Sequence, residues 1–410
     1  MNDVNIGMIG AGFMGKAHAL AYATMPMFFW PPPATPKRRT IADVDAGLAR
    51  EAATRYGFDA STDDWRRVID DPDIDVVDIV TPNDSHAEIA LAAAAAGKHI
   101  LCEKPLARSA PEAAAMADAV DAAGVIHMVA FNYRRTPAVV LARKLIDEGA
   151  IGRVLDLRVA NLQDGFADPS SPLSWRFQRD RAGSGALGDI ATHALDFGQY
   201  LAGDITAVCG LLQTYVHERP SLDASDAGGS PPVHSIPTTE TVTGRVEVDD
   251  QAIALLRFAS GAVGSLEASR NAWGRHNHLA FEVHGSTGSI SFNYERRDEL
   301  NLFLAEDPPD RRGFRTIYTG PEHPYGESLW PIPALGIGFG ETKVIECHDF
   351  LRAIVDDVLP EPNFHHGLQL ARVTDALTVS SASQEWIEVA GGATLTEPSA
   401  RPSHEPGSIH

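Results

Sequence analysis

A chain of 410 residues carrying 34 Lys and Arg against 55 Asp and Glu has a formal net charge of −21 at pH 7. That field repels phosphate backbones and anionic lipid head groups, which argues against nucleic acid and membrane surfaces as partners. The length exceeds what one hydrophobic core supports, so two domains are expected, and three scattered cysteines (Cys102, Cys209, Cys347) exclude a disulfide framework and a thiolate zinc site.

Residues 4–9 form a short apolar run that opens on Gly10-Ala11-Gly12-Phe13-Met14-Gly15 and an Ala-rich helical stretch. Residues 17–36 contain no Lys, Arg, Asp or Glu and are long enough on paper to span a bilayer. Pro26, Pro31, Pro32, Pro33 and Pro36 are expected to forbid a continuous helix through the second half of that stretch. The first ten residues lack the basic start of a secretory signal, so a soluble, cytoplasmic protein is expected. Further strand candidates lie at 39–42, 75–80, 99–102 and 126–130, alternating with helices over 44–56, 86–96 and 111–123. This alternation implies βαβ units and a doubly wound parallel sheet over residues 1–130, a Rossmann-type α/β domain.

Past about residue 150 the rhythm changes. Strand-like runs at 153–162, 207–217, 244–248, 253–258, 263–269, 278–284 and 289–294 follow one another, with hairpin turns at 258–263 and 284–289. They imply an α+β domain over 131–410 with a mainly antiparallel sheet, one helix inserted at 187–201 and two more near the C-terminus. Residues 218–241 have the composition of a loop, and 397–410 that of a frayed tail.

The run from Gly10 to Gly15 has the spacing and context of a dinucleotide fingerprint. Gly10 permits the tight turn, Gly12 lets backbone approach a pyrophosphate, and Gly15 lets the helix pack on the sheet. The acid expected to meet the ribose hydroxyls is Asp43, which repels a 2′-phosphate and favours NAD over NADP. It lies 28 residues past Gly15 rather than the usual ~20, an excess that the proline-rich 26–36 accounts for. Asp45 competes for this role, and Arg38 and Arg39 weigh against the NAD preference.

Thr81-Pro82-Asn83 and Glu103-Lys104-Pro105 each end a strand, where open α/β sheets bind ligands. Taken alone, Lys104 fits a solvated loop equally well. Asp189, His193 and Asp196 fall at i, i+4 and i+7 on one face of a mostly apolar helix. By spacing alone His193 is as readily a core histidine, and no further histidine stands at ligand spacing, so no metal is expected.

Together, the GxGxxG start, Thr81-Pro82-Asn83, Glu103-Lys104-Pro105 and the Gly-rich Asp189-x-x-x-His193-x-x-Asp196 helix resemble the Gfo/Idh/MocA oxidoreductases along almost the whole chain. The resemblance implies a nicotinamide-dependent dehydrogenase of sugars or cyclitols whose second domain has a large open sheet, often the face of a homodimer or homotetramer. It places the catalytic lysine at Lys104 and the catalytic Asp and His at Asp189 and His193. On the cofactor side it adds Phe13, Met14, Thr81, Pro82, Asn83 and His86, with Glu103, Lys104, Asn132 and Arg176. Near the substrate it adds Tyr133, Arg134, Gln163 and Trp175.

Segments 23–31, 171–177 and 325–331 resemble most those family members that oxidise the C3 hydroxyl of 1,6-anhydroglucose (levoglucosan) with NAD. Inositols and other pyranosides are the alternative substrates. From other classes, the alternatives are an NAD-dependent redox-assisted glycosidase and a non-catalytic NAD-sensing regulator. For dehydrogenation, a base with a pKa near neutrality serves best, and histidine's ordinary value is about 6.5. The expected roles are therefore His193 as proton acceptor, Asp189 as orienting group and Lys104 as donor to the reacting hydroxyl.

Overall fold

The computed structural model describes residues 3–221 and 242–391. Six strands, β1 (Asp3–Ile9), β2 (Thr35–Ala42), β3 (Ala60–Thr62), β4 (Val76–Ile79), β5 (His99–Cys102) and β6 (His127–Val129), form a parallel sheet in the order β3-β2-β1-β4-β5-β6. Every residue of β4 is buried, as a parallel strand covered on both faces requires. The order reverses between β1 and β4, so a crevice opens beyond their carboxyl ends. Both the glycine turn and the 81–83 turn lie there.

Five helices alternate with these strands: α1 (Phe13–Phe28), α2 (Ala46–Tyr56), α3 (Arg66–Asp70), α4 (His86–Ala95) and α5 (Ala110–Ala123). Local signals explain their ends. Asp45 starts α2 by accepting the Gly47 and Leu48 amides. Ser109 starts α5 in the same way. As expected, no continuous helix runs through the second half of 17–36, although Pro26 itself is tolerated. Pro26 lies inside the helix, two residues from its end, and the chain leaves the helix only at Phe29, whose amide reaches Met25 O. So near the C-terminus the missing N–H removes a single bond, and buried Tyr22 and Met25 hold the last turn.

The second sheet has nine strands in the order β16-β15-β14-β13-β7-β12-β11-β8-β17. It comprises β7 (Val154–Leu162), β8 (Ile205–Gln213), β11 (Gln251–Phe258), β12 (Val263–Ser269), β13 (His278–Gly285), β14 (Gly288–Asn293), β15 (Glu299–Leu304), β16 (Arg315–Tyr318) and β17 (Ile387–Glu388). Only β7 and β12 pair in parallel. A small ribbon of β9 (Glu218–Pro220) and β10 (Thr243–Arg245) occupies part of the stretch expected as loop and shortens the strand expected at 244–248. The rest of that loop, 222–241, and the 397–410 tail lie outside the described residues.

The remaining helices are α6 (Pro137–Asp147), α7 (Arg179–Ala182), α8 (Thr192–Ala202), α9 (Gly326–Leu329), α10 (Phe339–Asp356) and α11 (Phe364–Ser383). The helix expected at 187–201 is a π-turn over Leu187–Ala191 that continues as α8. Packing crosses the sequence boundary near residue 130. Helix α10 lies on α1, and its Val344, Ile345, Phe350 and Leu351 share one core with Ile6, Met8 and Met25. Helix α11 packs on α5, so chain from the C-terminal end covers the first sheet.

Candidate active site

The glycine turn is built for close approach. Gly10 has φ +112°, and a Cβ there would sit 2.6 Å from the Val80 carbonyl oxygen. At Gly15 a Cβ would meet the Gly10 carbonyl at 2.4 Å, so only glycine lets α1 start this near the strand. No atom lies within 4 Å of a Cβ placed on Gly12, which leaves the helix N-terminus open to a phosphate. At the end of β2, Asp43 accepts the Ala11 amide at 2.9 Å and the Asp45 amide at 3.0 Å, which fixes a carboxylate beside the turn. Arg38 donates to Tyr56 O, and Arg39 to Asn5 and Asp59, so neither guanidinium competes with Asp43 for this position. The residues thus fit a dinucleotide with free ribose hydroxyls. Phe13 is exposed and stacks on Phe339 at 5.9 Å, while Met14 packs against the core that α1 shares with α10.

Lys104 and Asp189 are 85 residues apart in sequence and touch in space. Lys104 Nζ donates to the Asp189 carbonyl at 2.7 Å and lies 3.5 Å from Asp189 Oδ1. Arg176 and Arg270 approach Asp189 Oδ2 at 4.0 and 3.9 Å. Burial alone would raise the Asp189 carboxyl, but these three cations hold it below its ordinary value. The π-turn carries Asp189 just ahead of α8, and such turns recur at functional sites. Asp249 anchors the start of this segment by accepting the Gly185 and Leu187 amides, each at 2.7 Å.

One turn on, His193 is 6% exposed, and its Nδ1 makes no hydrogen bond. Tyr133 packs edge-on at 4.5 Å and Phe131 at 5.8 Å. Burial and the Lys104 charge push the imidazole well below its ordinary value, so it is neutral at pH 7. The near-neutral base expected from the sequence is thus a weaker one. Gln163 lies 3.2 Å from Asn277, which donates to the Tyr133 hydroxyl at 3.0 Å, and Arg176 stacks over Trp175 at 4.5 Å. Lys104, Asp189, His193, Tyr133, Gln163, Trp175 and Arg176 therefore form one connected group.

Most of the other expected contacts face inward. His86 is fully buried, with its ring nitrogens 3.0 Å from the Pro105 and Thr81 carbonyls, so it braces the two turns rather than lining the cleft. Asn132 donates to Thr342, and Asn83 to the Ala182 carbonyl. Thr81 accepts from Ser85, and Pro82 precedes the short turn that carries Asn83. Arg134 is locked in a buried pair with Asp196, its Nε 3.0 Å from Oδ2, while His366 lies 2.7 Å from Oδ1. Glu103 is 5% exposed and turned toward His18 and Lys343. Sequence reasoning missed Arg270, Asn277 and Asp249; the only available signal was their place at strand ends.

Residues 4–131 match the family model described as an oxidoreductase family with an NAD-binding Rossmann fold, and 139–291 match the GFO/IDH/MocA C-terminal domain. The chain is 60% identical to levoglucosan dehydrogenase of Pseudarthrobacter phenanthrenivorans, over 95% of this chain and 99% of that one. A solved levoglucosan dehydrogenase in complex with NADH and levoglucosan superposes with a TM-score of 0.89 at 59% identity, covering 95% of this chain and 100% of that one. Inositol 2-dehydrogenase of Rhizobium meliloti is more distant, 27% identical over 94% of this chain and 99% of that one. With both family models matched in order and a relative this similar along nearly its full length, the chain belongs to the GFO/IDH/MocA family of oxidoreductases.

Proposed function

We propose that the protein oxidises the C3 hydroxyl of levoglucosan to the 3-keto sugar with NAD as acceptor. The observation that carries this reading is the Lys104–Asp189–His193 group beside an intact dinucleotide turn, in a chain 60% identical to a levoglucosan dehydrogenase. When bound, NAD supplies the hydride acceptor. Gly10, Gly12 and Gly15 shape its pyrophosphate seat, and Asp43 takes the ribose hydroxyls.

The chain's own residues handle the proton. Lys104 donates to the reacting hydroxyl and stabilises its developing negative charge. His193 presents an uncharged ring, held so by burial and Lys104, that accepts the hydroxyl proton. Asp189 keeps the Lys104 ammonium in place and offers its remaining lone pairs to the sugar. Tyr133, Gln163, Trp175 and Arg176 shape the pyranose pocket. The division at residues 130 and 131 separates cofactor binding from substrate binding, with α10 as the bridge. A cytoplasmic location fits three free cysteines, two of them buried.

The test is NADH formation across levoglucosan, hexoses and inositols, with the product identified by NMR. Levoglucosan preferred at least about tenfold in kcat/KM, with a C3 ketone, is the expected result. A preference for inositol would move the substrate to the neighbouring branch. Glycoside cleavage without net NADH would point to the redox-assisted glycosidase, and NAD binding without turnover to a regulator.

A further inference from the structure

Behind the Lys104 turn runs a line of buried charges that the proposed chemistry does not use. His18 on α1 sits between two carboxylates, its Nδ1 2.9 Å from Asp78 Oδ2 and its Nε2 3.0 Å from Glu103 Oε1. Lys343 on α10 lies 2.7 Å from the same Glu103 oxygen and 2.9 Å from Glu346 Oε2. The other Glu103 oxygen accepts the Lys104 amide at 3.0 Å. None of His18, Asp78, Glu103, Lys343 or Glu346 is more than 5% exposed.

The geometry favours a charged ring. An ionised carboxylate only accepts hydrogen bonds, so an imidazole that touches two of them donates from both nitrogens. Only the imidazolium can do so. Burial and Lys343 oppose that charge, but Asp78 and Glu103 outweigh them and raise the pKa to about 9. Glu103 is pushed the other way: burial opposes its charge, while Lys343, His18 and Lys104 hold the carboxyl well below its ordinary range. A carboxylate fixed by two cations on one oxygen has little freedom to release the amide on the other.

The parts come from four places in the chain. Helix α1 begins at the cofactor turn, Asp78 is on β4, Glu103 follows β5, and Lys343 arrives from α10. We propose that His18 is a positioning residue for Lys104: clamped between Asp78 and Glu103, it fixes the Glu103 carboxylate and, through it, the Lys104 main chain whose ammonium meets Asp189. The cluster thereby links the helix that receives the cofactor phosphates to the lysine at the reacting hydroxyl. This inference rests on the role given to Lys104 above.

The experiment compares full-length His18→Gln and Glu103→Gln with the unmodified protein and with Lys104→Ala. Each is assayed for levoglucosan oxidation, NAD affinity and the isotope effect from C3-deuterated levoglucosan. A ring replaced by a neutral amide serves only one carboxylate at full strength, so kcat is expected to fall about tenfold to hundredfold as Lys104 loosens. NAD Kd and sugar KM should stay within about threefold, and the isotope effect should rise as chemistry becomes limiting. Unchanged kcat in folded His18→Gln overturns the positioning role. If Lys104→Ala is inactive in the same series, only this inference fails; if Lys104→Ala stays active, the proposed mechanism fails with it. Should the variants not fold, 15N NMR of histidine side chains in the unmodified protein decides. A His18 ring doubly protonated at pH 7 supports the clamp, and a neutral ring overturns it.

Discussion

His193 and Lys104 share a site in which the lysine charge disfavours a charged imidazole. Replacing either with Ala is expected to lower kcat by about 10²–10⁴ while NAD binding, measured by calorimetry, survives. Near-normal turnover in both variants would refute the assignment. Burial and Lys104 lower the His193 pKa, so the acid limb of the pH–rate profile should lie below histidine's ordinary value of about 6.5. The sign of the Lys104 contribution gives a sharper check. Removing a cation that disfavours imidazolium raises the pKa, so the residual activity of Lys104→Met should lose its acid limb at higher pH than the unmodified enzyme. A limb that stays in place would show that Lys104 does not act on His193. Much of this pair was visible as motifs, because a lysine at a strand end and an i, i+4 spacing are local features. The inward turn of Glu103, one residue away, was not: at the end of a strand, alternation no longer says which side chain faces the cleft.

At the scale of elements, the glycine turn separates binding from folding. A methyl at Gly12 meets no atom within 4 Å, whereas at Gly15 it would press on the Gly10 carbonyl. Gly12→Ala is thus expected to keep its melting temperature and weaken NAD binding at least about tenfold by crowding the phosphates. Gly15→Ala should do both, with a stability loss of about 1–3 kcal/mol from overpacking between two backbones. Equal melting temperatures for the two variants would contradict the packing argument. The π-turn at Leu187–Ala191 shows the limit of reading elements from periodicity. Apolar spacing over 187–201 marks a helix, but the widened turn is anchored by Asp249, which holds the Gly185 and Leu187 amides from a strand junction 64 and 62 residues later in the chain.

For the whole molecule, two surfaces of behaviour follow from burial. His127, pushed down to about 4 by burial and neighbouring His365, is neutral in the fold, as is His193. The unfolded chain protonates both below about 6.5, so stability should fall as the pH drops from 6.5 toward 4. His18 acts oppositely: its raised pKa contributes stability that is full below about 6.5 and lost as the pH climbs through about 9. Melting temperature should therefore peak near neutrality, and His18→Gln should flatten the alkaline arm; a wild-type profile level from pH 4 to 10 would sink the argument. The second surface is physical. Leu211, Ile253, Leu255 and Val263 are exposed on adjacent strands β8, β11 and β12, with Ile253 directly opposite Leu211.

By itself the sequence determined the parallel sheet, the glycine turn and the residue types of the proposed catalytic group, because each depends on neighbours within one or two turns or on a strand's hydrophobic run. The tertiary structure alone decided which polar residues face the cleft. Lys104 meets Asp189 across 85 positions, Arg270 and Asn277 enter from the far sheet, and α10 returns 240 residues later to place Lys343 on Glu103. Those contacts arise only when the apolar faces of two sheets and their helices dock, since the burial that drives docking is set by area and carries no mark in local sequence.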